Sequence, residues 1–499
     1  MTNLATNLIR TAGRLPDKAA ITIEGQSVSY AALLGLASQA AGNLRKAGLQ
    51  PGDRVGLILP NVPAYPVLFF GTLLAGGIVV PMNPLLKAGE IDFHFSDSGA
   101  RFAFVWPDFV AEAQAGAQNQ GTQVIECGPM GPKPGAFVED GAPITVPEGR
   151  ADDDTCVILY TSGTTGRPKG AELTHSNLNL NARRCVEDIQ QMTEDDVVMG
   201  CLPLFHVFGL VVGLQAAVIA GASLALIPRF DPAKAIHVIG SQGVTIMQGV
   251  PTMYAALLNH PDGDGLDASR LRLCASGGSA MPHEVQSGFE KKFDCIILEG
   301  YGLSETSPVV SFNMPDRERK PGTIGVAIPG CEMRLEDADG KVVGVSEIGE
   351  IAIKGDNVMK GYWRNPEATA EAIRDGWFHT GDLATVDEEG YYTIVDRKKD
   401  LIIRGGFNVY PREVEELLYT HPDVIEAAVV GVPDPLYGEE IGAAIAFRPG
   451  ATASLDDVKA WAKERIAAYK YPRHLWQVDE LPKGPTGKIL RREVHPPTA

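Results

Sequence analysis

One segment of the chain combines glycine, hydroxyl and lysine side chains in a way that suits phosphate binding. Residues 160–170 read YTSGTTGRPKG and directly follow the apolar run CVIL. Small residues let a backbone wrap closely around an anion, hydroxyls donate hydrogen bonds, and Lys169 would balance phosphate charge. The segment is not a Walker A loop, because Pro168 stands where that motif has glycine. Taken alone, an ordinary Gly/Thr turn is the alternative.

Three further segments place charged groups on turns. The segment EGYGLSET, residues 299–306, sets the Ser304 hydroxyl beside the Glu305 carboxylate, which suit phosphate and Mg²⁺ respectively. In WFHTGD, Asp382 offers a carboxylate to ribose hydroxyls, and the charged run DRKKD follows at residues 396–400. The segment LPKGPTGKI presents Lys488 near the end of the chain. Each segment alone is more typical of a solvated turn.

Taken together and in this order, the motifs make the sequence resemble the adenylate-forming superfamily. That superfamily contains acyl-CoA synthetases, firefly luciferase-like enzymes and peptide-synthetase adenylation domains. Stretches such as RKPGTIG and VMKGYW resemble fatty-acid-CoA ligases, close to the 4-coumarate-CoA ligases. The resemblance implies two steps: a carboxylic acid and Mg-ATP give acyl-AMP and pyrophosphate, and a thiol, usually coenzyme A, then displaces AMP.

The resemblance also implies a role for each motif, with ATP, Mg²⁺ and coenzyme A as ligands. Lys488 would bridge the α-phosphate and the acyl carboxylate. Ser304, where the family often has threonine, would contact the α-phosphate, and Glu305 would hold Mg²⁺. The β- and γ-phosphates would be held by Thr161, Ser162, Gly163, Thr164, Thr165, Gly166 and Lys169. Ribose would be bound by Asp382 and Arg397, and adenine would be framed by Gly278, Glu299, Gly300 and Tyr301.

Similar enzymes rotate a small C-terminal domain between the two half-reactions, and their hinge position matches Lys399. We therefore expect an adenylate-forming domain over residues 1–396 and a mobile domain over residues 397–499. Gly405 and Gly406 would line the tunnel for the pantetheine arm of coenzyme A, because adjacent glycines let a slender chain pass near the backbone. A turn at the end of a strand explains the two glycines equally well.

The expected acyl pocket is lined by small or apolar residues. His206 would gate the pocket or polarise the carboxylate, with a packed histidine as the alternative. Acetate-activating relatives carry tryptophan at the position of Gly302, so a larger acyl group than acetate is expected here. No charged side chain is clearly placed to bind the tail of the substrate. The expected lining is Phe208, Gly209, Val212, Gly249, Val250, Pro251, Ser276, Gly277, Ser279, Ala280, Met281, Val309 and Val310.

The leading hypothesis is an ATP-dependent acyl-CoA synthetase for a medium- or long-chain fatty acid. An aryl-CoA ligase of the 4-coumarate or cinnamate type is the close alternative. The acyl-AMP could also pass to an amine or a carrier protein. A degenerate nucleotide-binding scaffold fits poorly, because a scaffold need not retain the charges that serve the reaction.

Composition agrees with an enzyme that acts on small molecules. The chain has 499 residues, is 44% hydrophobic and carries a formal net charge of −18. The hydrophobic content excludes global disorder, and the negative charge disfavours nucleic-acid partners. Seven cysteines without a CxxC pair disfavour a disulfide framework and a zinc site. A cytoplasmic location is expected, and a homodimer is left open.

The elements that must position these motifs follow from the hydrophobic pattern. Continuous apolar runs such as RVGLILP, CVILYTS and VTIMQGVP alternate with helical patterns and predict a layered α/β body of two subdomains. Alternating strands after residue 320 predict a small β-rich section. Helix, strand, strand and helix after residue 400 predict a small α+β domain, in which Ser454 and Asp457 form a capping box.

One uncharged stretch is long enough to span a bilayer, residues 207–227. Ala220 and Gly221 divide it, so we expect a buried helix and a buried strand rather than a membrane span. At the start of the chain, Leu4, Leu8 and Ala12 predict a docked amphipathic helix instead of a signal peptide.

Overall fold

The computed structural model describes residues 3–161 and 167–497. An eight-stranded sheet lies at the centre of the first subdomain, and its middle strands are parallel, as the continuous apolar runs predict. In spatial order its strands are Gly361–Tyr362, Lys169–Thr174, Thr155–Thr161, Ile78–Pro81, Arg54–Ile58, Ala100–Val105, Gln123–Gly128 and Gly131–Pro132.

A nine-stranded sheet forms the second subdomain, and its first two strands come from the start of the chain. Six of its neighbouring strands run parallel, and their carboxyl ends carry the glycine-rich segments near residues 249, 276 and 302. In spatial order its strands are Val326–Ala327, Val309–Phe312, Ile296–Gly302, Leu273–Ser276, Ile246–Gly249, Val197–Gly200, Ser223–Leu226, Ala19–Ile23 and Gln26–Ser29.

Helices cover both sheets, and the body holds a large hydrophobic core and a smaller one that includes Ile58, Val80 and Phe95. Helix Ala64–Leu74 is buried at every position and packs against helix Tyr30–Lys46. The other α-helices of the body are Thr6–Arg14, Ala88–Ser98, Val110–Ala117, His175–Arg184, Ala216–Ala220, Pro232–Gln242, Pro251–Asn259, His283–Phe293 and Pro366–Ala372. The π-helical segments are Cys185–Ile189 and Phe208–Gln215, and the 3₁₀ turns are Pro107–Phe109, Pro261–Gly265 and Ser304–Thr306.

The uncharged stretch folds as the sequence predicts. It forms the helical pieces Phe208–Gln215 and Ala216–Ala220, and then the strand Ser223–Leu226. Gly221, with φ of 84°, separates helix from strand in the left-handed region that favours glycine. Within the described residues, no helix combines the length and apolar character that crossing a bilayer requires. The N-terminal helix also forms, with Leu8 and Ala12 buried.

The β-rich section predicted after residue 320 is a five-stranded antiparallel sheet. Its strands are Cys331–Glu336, Gly349–Gly355, Trp377–Val386, Ile373–Arg374 and Tyr392–Arg397. Strand Tyr392–Arg397 is the last element of the body, and the next sheet begins at Ile402. The turn at residues 398–400 joins the two, and Lys399 is exposed there. The boundary between residues 396 and 397 stays a prediction.

The C-terminal domain has its own core, which includes Val414, Leu418 and Val429. Its strands are Phe407–Val409, Ile402–Arg404, Gly438–Phe447, Val424–Asp434 and His474–Gln477, and its helices are Pro411–Tyr419, Leu455–Arg465 and the 3₁₀ turn Arg491–Glu493. The predicted capping box of Ser454 and Asp457 is present. The predicted fold class, a large layered α/β body with a β-rich section and a small α+β C-terminal domain, is confirmed.

Asn61 links the two large sheets at the segment that leads to His206. Its amide donates to the carbonyl oxygens of Gly200 at 3.0 Å and Leu202 at 2.8 Å, and its oxygen accepts from the N–H of Leu204 at 2.9 Å. The side chain is buried. Three backbone groups of residues 200–204 therefore depend on one side chain from the other subdomain.

Asn61→Ala should lower the free energy of unfolding by about 2–4 kcal/mol, because buried backbone groups lose their only side-chain partner here. Urea unfolding followed by fluorescence measures the change. Asn259→Ala, at an exposed side chain, is the matched control and should stay within about 1 kcal/mol of the parent. Equal stability of Asn61→Ala and the control would contradict the bridging role.

Candidate active site

The phosphate-binding segment and the 299–306 motif meet at Glu305. The Thr161 hydroxyl donates to Glu305 Oε1 at 3.1 Å, and the Tyr362 hydroxyl donates to the same oxygen at 3.0 Å. Glu305 is buried on the 3₁₀ turn Ser304–Thr306, and Ser304 is half-buried beside it. Both hydrogen bonds go to Oε1, so the Glu305 carboxylate keeps lone pairs that can bind a cation.

Tyr362 is a site residue that the sequence reasoning missed as an individual residue. Its ring lies 5.2 Å from Lys169 Nζ, and strand Gly361–Tyr362 pairs with strand Lys169–Thr174. The tyrosine thus orients both Lys169, through a cation–π contact, and Glu305, through a hydrogen bond. The only sequence signal was the resemblance of VMKGYW to fatty-acid-CoA ligases. Ser162, Gly163, Thr164, Thr165 and Gly166, predicted to bind phosphate, lie outside the described residues.

The proposed ribose site is a second pair of charges. Arg397 Nε lies 3.2 Å from Asp382 Oδ1, and the Tyr301 hydroxyl donates to Asp382 Oδ2 at 2.5 Å. Asp382 and Arg397 also face each other across neighbouring antiparallel strands. Burial first, and then the Asp382 charge, raises the pKa of Tyr301 well above its usual range, so the phenol stays a donor. The structure brings all three predicted residues together.

At the proposed adenine site, two glycines stand where a side chain would be strained or would collide with its surroundings. Gly278 has φ of 82°, which a side chain would strain, and a Cβ on Gly300 would meet the Phe312 ring at 2.1 Å. Glu299 is 2% exposed; its Oε1 accepts from the Met281 N–H at 3.0 Å, and its Oε2 has no hydrogen-bond partner among the described residues. Burial raises the pKa of Glu299 to about 7, while Arg412 opposes the shift. A buried, unpaired carboxyl oxygen is what a bound polar group would satisfy.

Lys488 reaches this site from the C-terminal domain. The neighbouring Gly487 carbonyl accepts a hydrogen bond from the Thr252 hydroxyl of the body at 2.8 Å. Burial of the ammonium group lowers the pKa of Lys488 to about 8; Arg397 lowers it further, whereas Asp382 raises it. The Lys488 ammonium group is therefore within electrostatic range of Asp382 and Arg397.

His206 lies near Lys488 and is neutral at physiological pH. Burial lowers the pKa of His206 to about 4, and the Lys488 charge adds to the shift. Its Nδ1 accepts from the Phe208 N–H at 3.3 Å, so the proton of the neutral ring sits on Nε2. His206 therefore offers one N–H donor, which suits a carboxylate oxygen or an adenylate.

The region around the expected acyl pocket is more closely packed than the sequence indicated. A Cβ on Gly302 would meet the Pro308 carbonyl oxygen at 1.9 Å, and a Cβ on Gly277 would meet the Phe208 ring at 3.3 Å. The glycine at position 302 thus allows the Pro308 backbone to lie close to it, and it does not by itself enlarge the acyl pocket. The surrounding residues Phe208, Val212, Val250, Met281, Val309 and Val310 are all buried.

Gly405 and Gly406 do not join this site. They form the turn between strands Ile402–Arg404 and Phe407–Val409, with φ of 56° and 85°, and both are exposed. In this conformation the two glycines form an exposed turn at the end of a strand, and their role in a pantetheine tunnel stays a prediction.

No group of three or more His, Cys, Asp or Glu side chains in the described part of the chain is arranged to hold a metal ion. Glu305 by itself fits Mg²⁺, which commonly uses one or two carboxylates and takes its other ligands from water and substrate phosphates. The Thr161 and Lys169 side chains beside Glu305 suit those phosphates.

Comparison with known proteins identifies this arrangement. The model of the AMP-binding enzyme family matches residues 8–363, and that of the AMP-binding enzyme C-terminal domain matches residues 413–488. The long-chain-fatty-acid–CoA ligase of Bacillus subtilis (strain 168) is 37% identical, over 98% of this chain and 94% of its own. The feruloyl-CoA synthase of Amycolatopsis sp is 39% identical over 97% of each chain.

The fold agrees with these relatives. The crystal structure of ATP-bound MatB from Rhodopseudomonas palustris matches 98% of this chain and 97% of its own, with a TM-score of 0.91 and 36% identity. The resemblance seen in the motifs is confirmed along nearly the whole chain. The chain therefore belongs to the AMP-binding enzyme family, among its AMP-forming acid–thiol ligases.

Proposed function

We propose that this enzyme is an ATP-dependent acyl-CoA synthetase for a medium- or long-chain fatty acid. It joins the acid to AMP with release of pyrophosphate, and then transfers the acyl group to coenzyme A with release of AMP. The observation that carries the proposal is the position of Lys488. A lysine from the C-terminal domain is enclosed beside His206, Asp382 and Arg397 of the body.

The first step must force a carboxylate against the α-phosphate, and both are anions. Lys488 supplies a positive charge at that point, and the neutral His206 supplies an Nε2–H donor. A charge that acts mainly in the transition state is worth on the order of 3–4 kcal/mol. Lys488 thus offsets the repulsion that otherwise prevents the reaction.

The remaining groups hold ATP in place for this step. Asp382, fixed by Tyr301 and Arg397, accepts from ribose hydroxyls, and Lys169 faces the terminal phosphates. Glu305 would hold Mg²⁺, which neutralises phosphate charge when bound. The free Oε2 of Glu299 is available to the adenine amino group.

The choice of a fatty acid rests on the apolar surroundings of the acyl site and on the Bacillus subtilis relative. No charged side chain is expected along the predicted lining. An aryl acid is the second candidate, because the feruloyl-CoA synthase relative is 39% identical over 97% of each chain. Apolar pockets separate close analogues by only about 1–3 kcal/mol per methylene, so a substrate panel must decide.

The thiol step needs a different face of the C-terminal domain at the site. The Gly405–Gly406 turn is flanked by exposed apolar side chains, namely Ile403, Phe407, Leu436 and Tyr437. Rotation about Lys399 would cover these side chains and bring the two glycines to the body as a passage for pantetheine. The exposed apolar face supports coenzyme A as the acceptor.

A two-readout assay with ATP and Mg²⁺ tests the proposed function. Pyrophosphate release and acyl-CoA formation are measured across C2 to C18 fatty acids, cinnamates and benzoates. We expect both products with a medium- or long-chain optimum. An aryl optimum would favour the second candidate, pyrophosphate without a thioester would exclude coenzyme A as acceptor, and no pyrophosphate with any acid would overturn the proposal.

Lys399→Pro should leave pyrophosphate release largely intact and block thioester formation, because the ring restricts φ at the hinge. The turn at residues 398–400 is exposed in the conformation that holds Lys488 in the site. Lys399→Ala is the matched control, because it removes the same side chain and leaves φ free, and it should affect the thioester step less. Equal loss of both steps in Lys399→Pro would contradict the hinge assignment.

The pH dependence of pyrophosphate release should show the titration of Lys488. As pH rises through about 8, the lysine loses its proton and charge, so kcat/KM falls on the alkaline side. Lys488→Arg should remove that limb, although at a lower rate, because guanidinium stays charged. Glu299→Gln is the control: it removes the group whose pKa is about 7 and should keep the alkaline limb. An unchanged limb in Lys488→Arg would refute the assignment.

A further inference from the structure

Three carboxylates converge on Arg491, three residues after Lys488. Its Nη2 lies 2.8 Å from both carboxylate oxygens of Glu415. Its Nη1 lies 3.3 Å from Asp396 Oδ1 and 3.6 Å from Asp400 Oδ2. A planar guanidinium that binds one carboxylate through two contacts keeps donors for the others.

These carboxylates stand on opposite sides of the Lys399 turn. Asp396 lies on strand Tyr392–Arg397, the last strand of the body, while Glu415 lies on helix Pro411–Tyr419 of the C-terminal domain. Asp400 ends the turn between them. The Arg491–Glu415 pair therefore moves as part of the C-terminal domain, whereas the Arg491–Asp396 pair crosses the hinge.

Asp396 is buried, so its carboxylate depends on the positive charge of Arg491. It is 4% exposed, and its oxygens also accept from the backbone N–H groups of Arg397 at 2.7 Å and Arg412 at 3.1 Å. Burial raises the pKa of Asp396, and the Arg491 charge opposes that shift. A buried carboxylate that loses its partner is strongly destabilised, so the pair favours the conformation in which it forms.

We propose that Arg491 and Asp396 form a latch across the hinge, which holds the C-terminal domain with Lys488 in the active site. They act as positioning residues, because they orient the domain that carries Lys488. Rotation about Lys399 would separate Asp396 from Arg491 and leave the Glu415 pair intact. The inference rests on the proposed function in one respect: it assumes that adenylation and thioester formation use different domain positions.

The test measures the two half-reactions separately in Asp396→Asn and Arg491→Lys. One assay follows pyrophosphate release from fatty acid and ATP, and the other follows acyl-CoA formation from supplied acyl-AMP. We expect Asp396→Asn to slow the first by about tenfold or more and to leave the second unchanged or faster. Arg491→Lys keeps the charge and should retain more of the first activity than Arg491→Ala. Arg492→Ala, at the exposed neighbouring arginine, should change neither.

A readout without chemistry separates the latch from the proposed function. Trypsin cleaves after Lys398 and Lys399 in the turn, and its rate should rise in Asp396→Asn relative to the parent and to Arg492→Ala. Equal loss of both half-reactions in Asp396→Asn would overturn the latch. An unchanged ratio of the two half-reaction rates, together with an unchanged cleavage rate, would also overturn it. If the parent makes no acyl-AMP from any acid, the proposed function fails, and the cleavage rates alone decide whether the latch exists.

Discussion

The structure depends on placing a lysine charge from one domain inside a site built by another. Burial, and then the Arg397 and Arg491 charges, lower the pKa of Lys488, whereas the Asp382 and Asp400 charges raise it. An ammonium group in such a place is destabilised until an anionic substrate arrives. In the proposed reaction, the same charge brings a carboxylate and a phosphate together.

The rest of the molecule holds the partners of this lysine at fixed positions. The nine-stranded sheet ends in the segments that carry Glu305, Tyr301 and Gly278, and the eight-stranded sheet carries Lys169 and Tyr362. Asn61 joins the two sheets near His206. The antiparallel sheet sets Asp382 opposite Arg397. The C-terminal domain contributes Lys488 on a short loop, and the Thr252 hydroxyl of the body donates to the Gly487 carbonyl of that loop.

Much of this was predictable from residue type and spacing. Continuous apolar runs gave the parallel strands, and the division at Gly221 identified a buried helix and strand. The resemblance to the adenylate-forming superfamily, rather than spacing alone, gave Asp382, Arg397, Tyr301 and Lys488 as one site. Such predictions succeed because strand periodicity and glycine conformation are local properties.

Other features depend on contacts between distant residues and were not predictable. Tyr362 joins the site because a two-residue strand pairs at the edge of a sheet formed by strands from elsewhere in the chain. The close approach of the Pro308 carbonyl to Gly302 also becomes visible only in three dimensions. The convergence on Arg491 likewise requires the fold, because residues 396, 415 and 491 are far apart in sequence.

The most direct test of the central claim uses Lys488→Gln, which removes the charge and keeps a polar side chain of similar length. ATP–pyrophosphate exchange is measured with the best acid, beside acyl-CoA formation from supplied acyl-AMP. The account predicts a loss of exchange of roughly 100-fold or more, corresponding to about 3 kcal/mol, with the thioester step retained. Exchange close to that of the parent would contradict it.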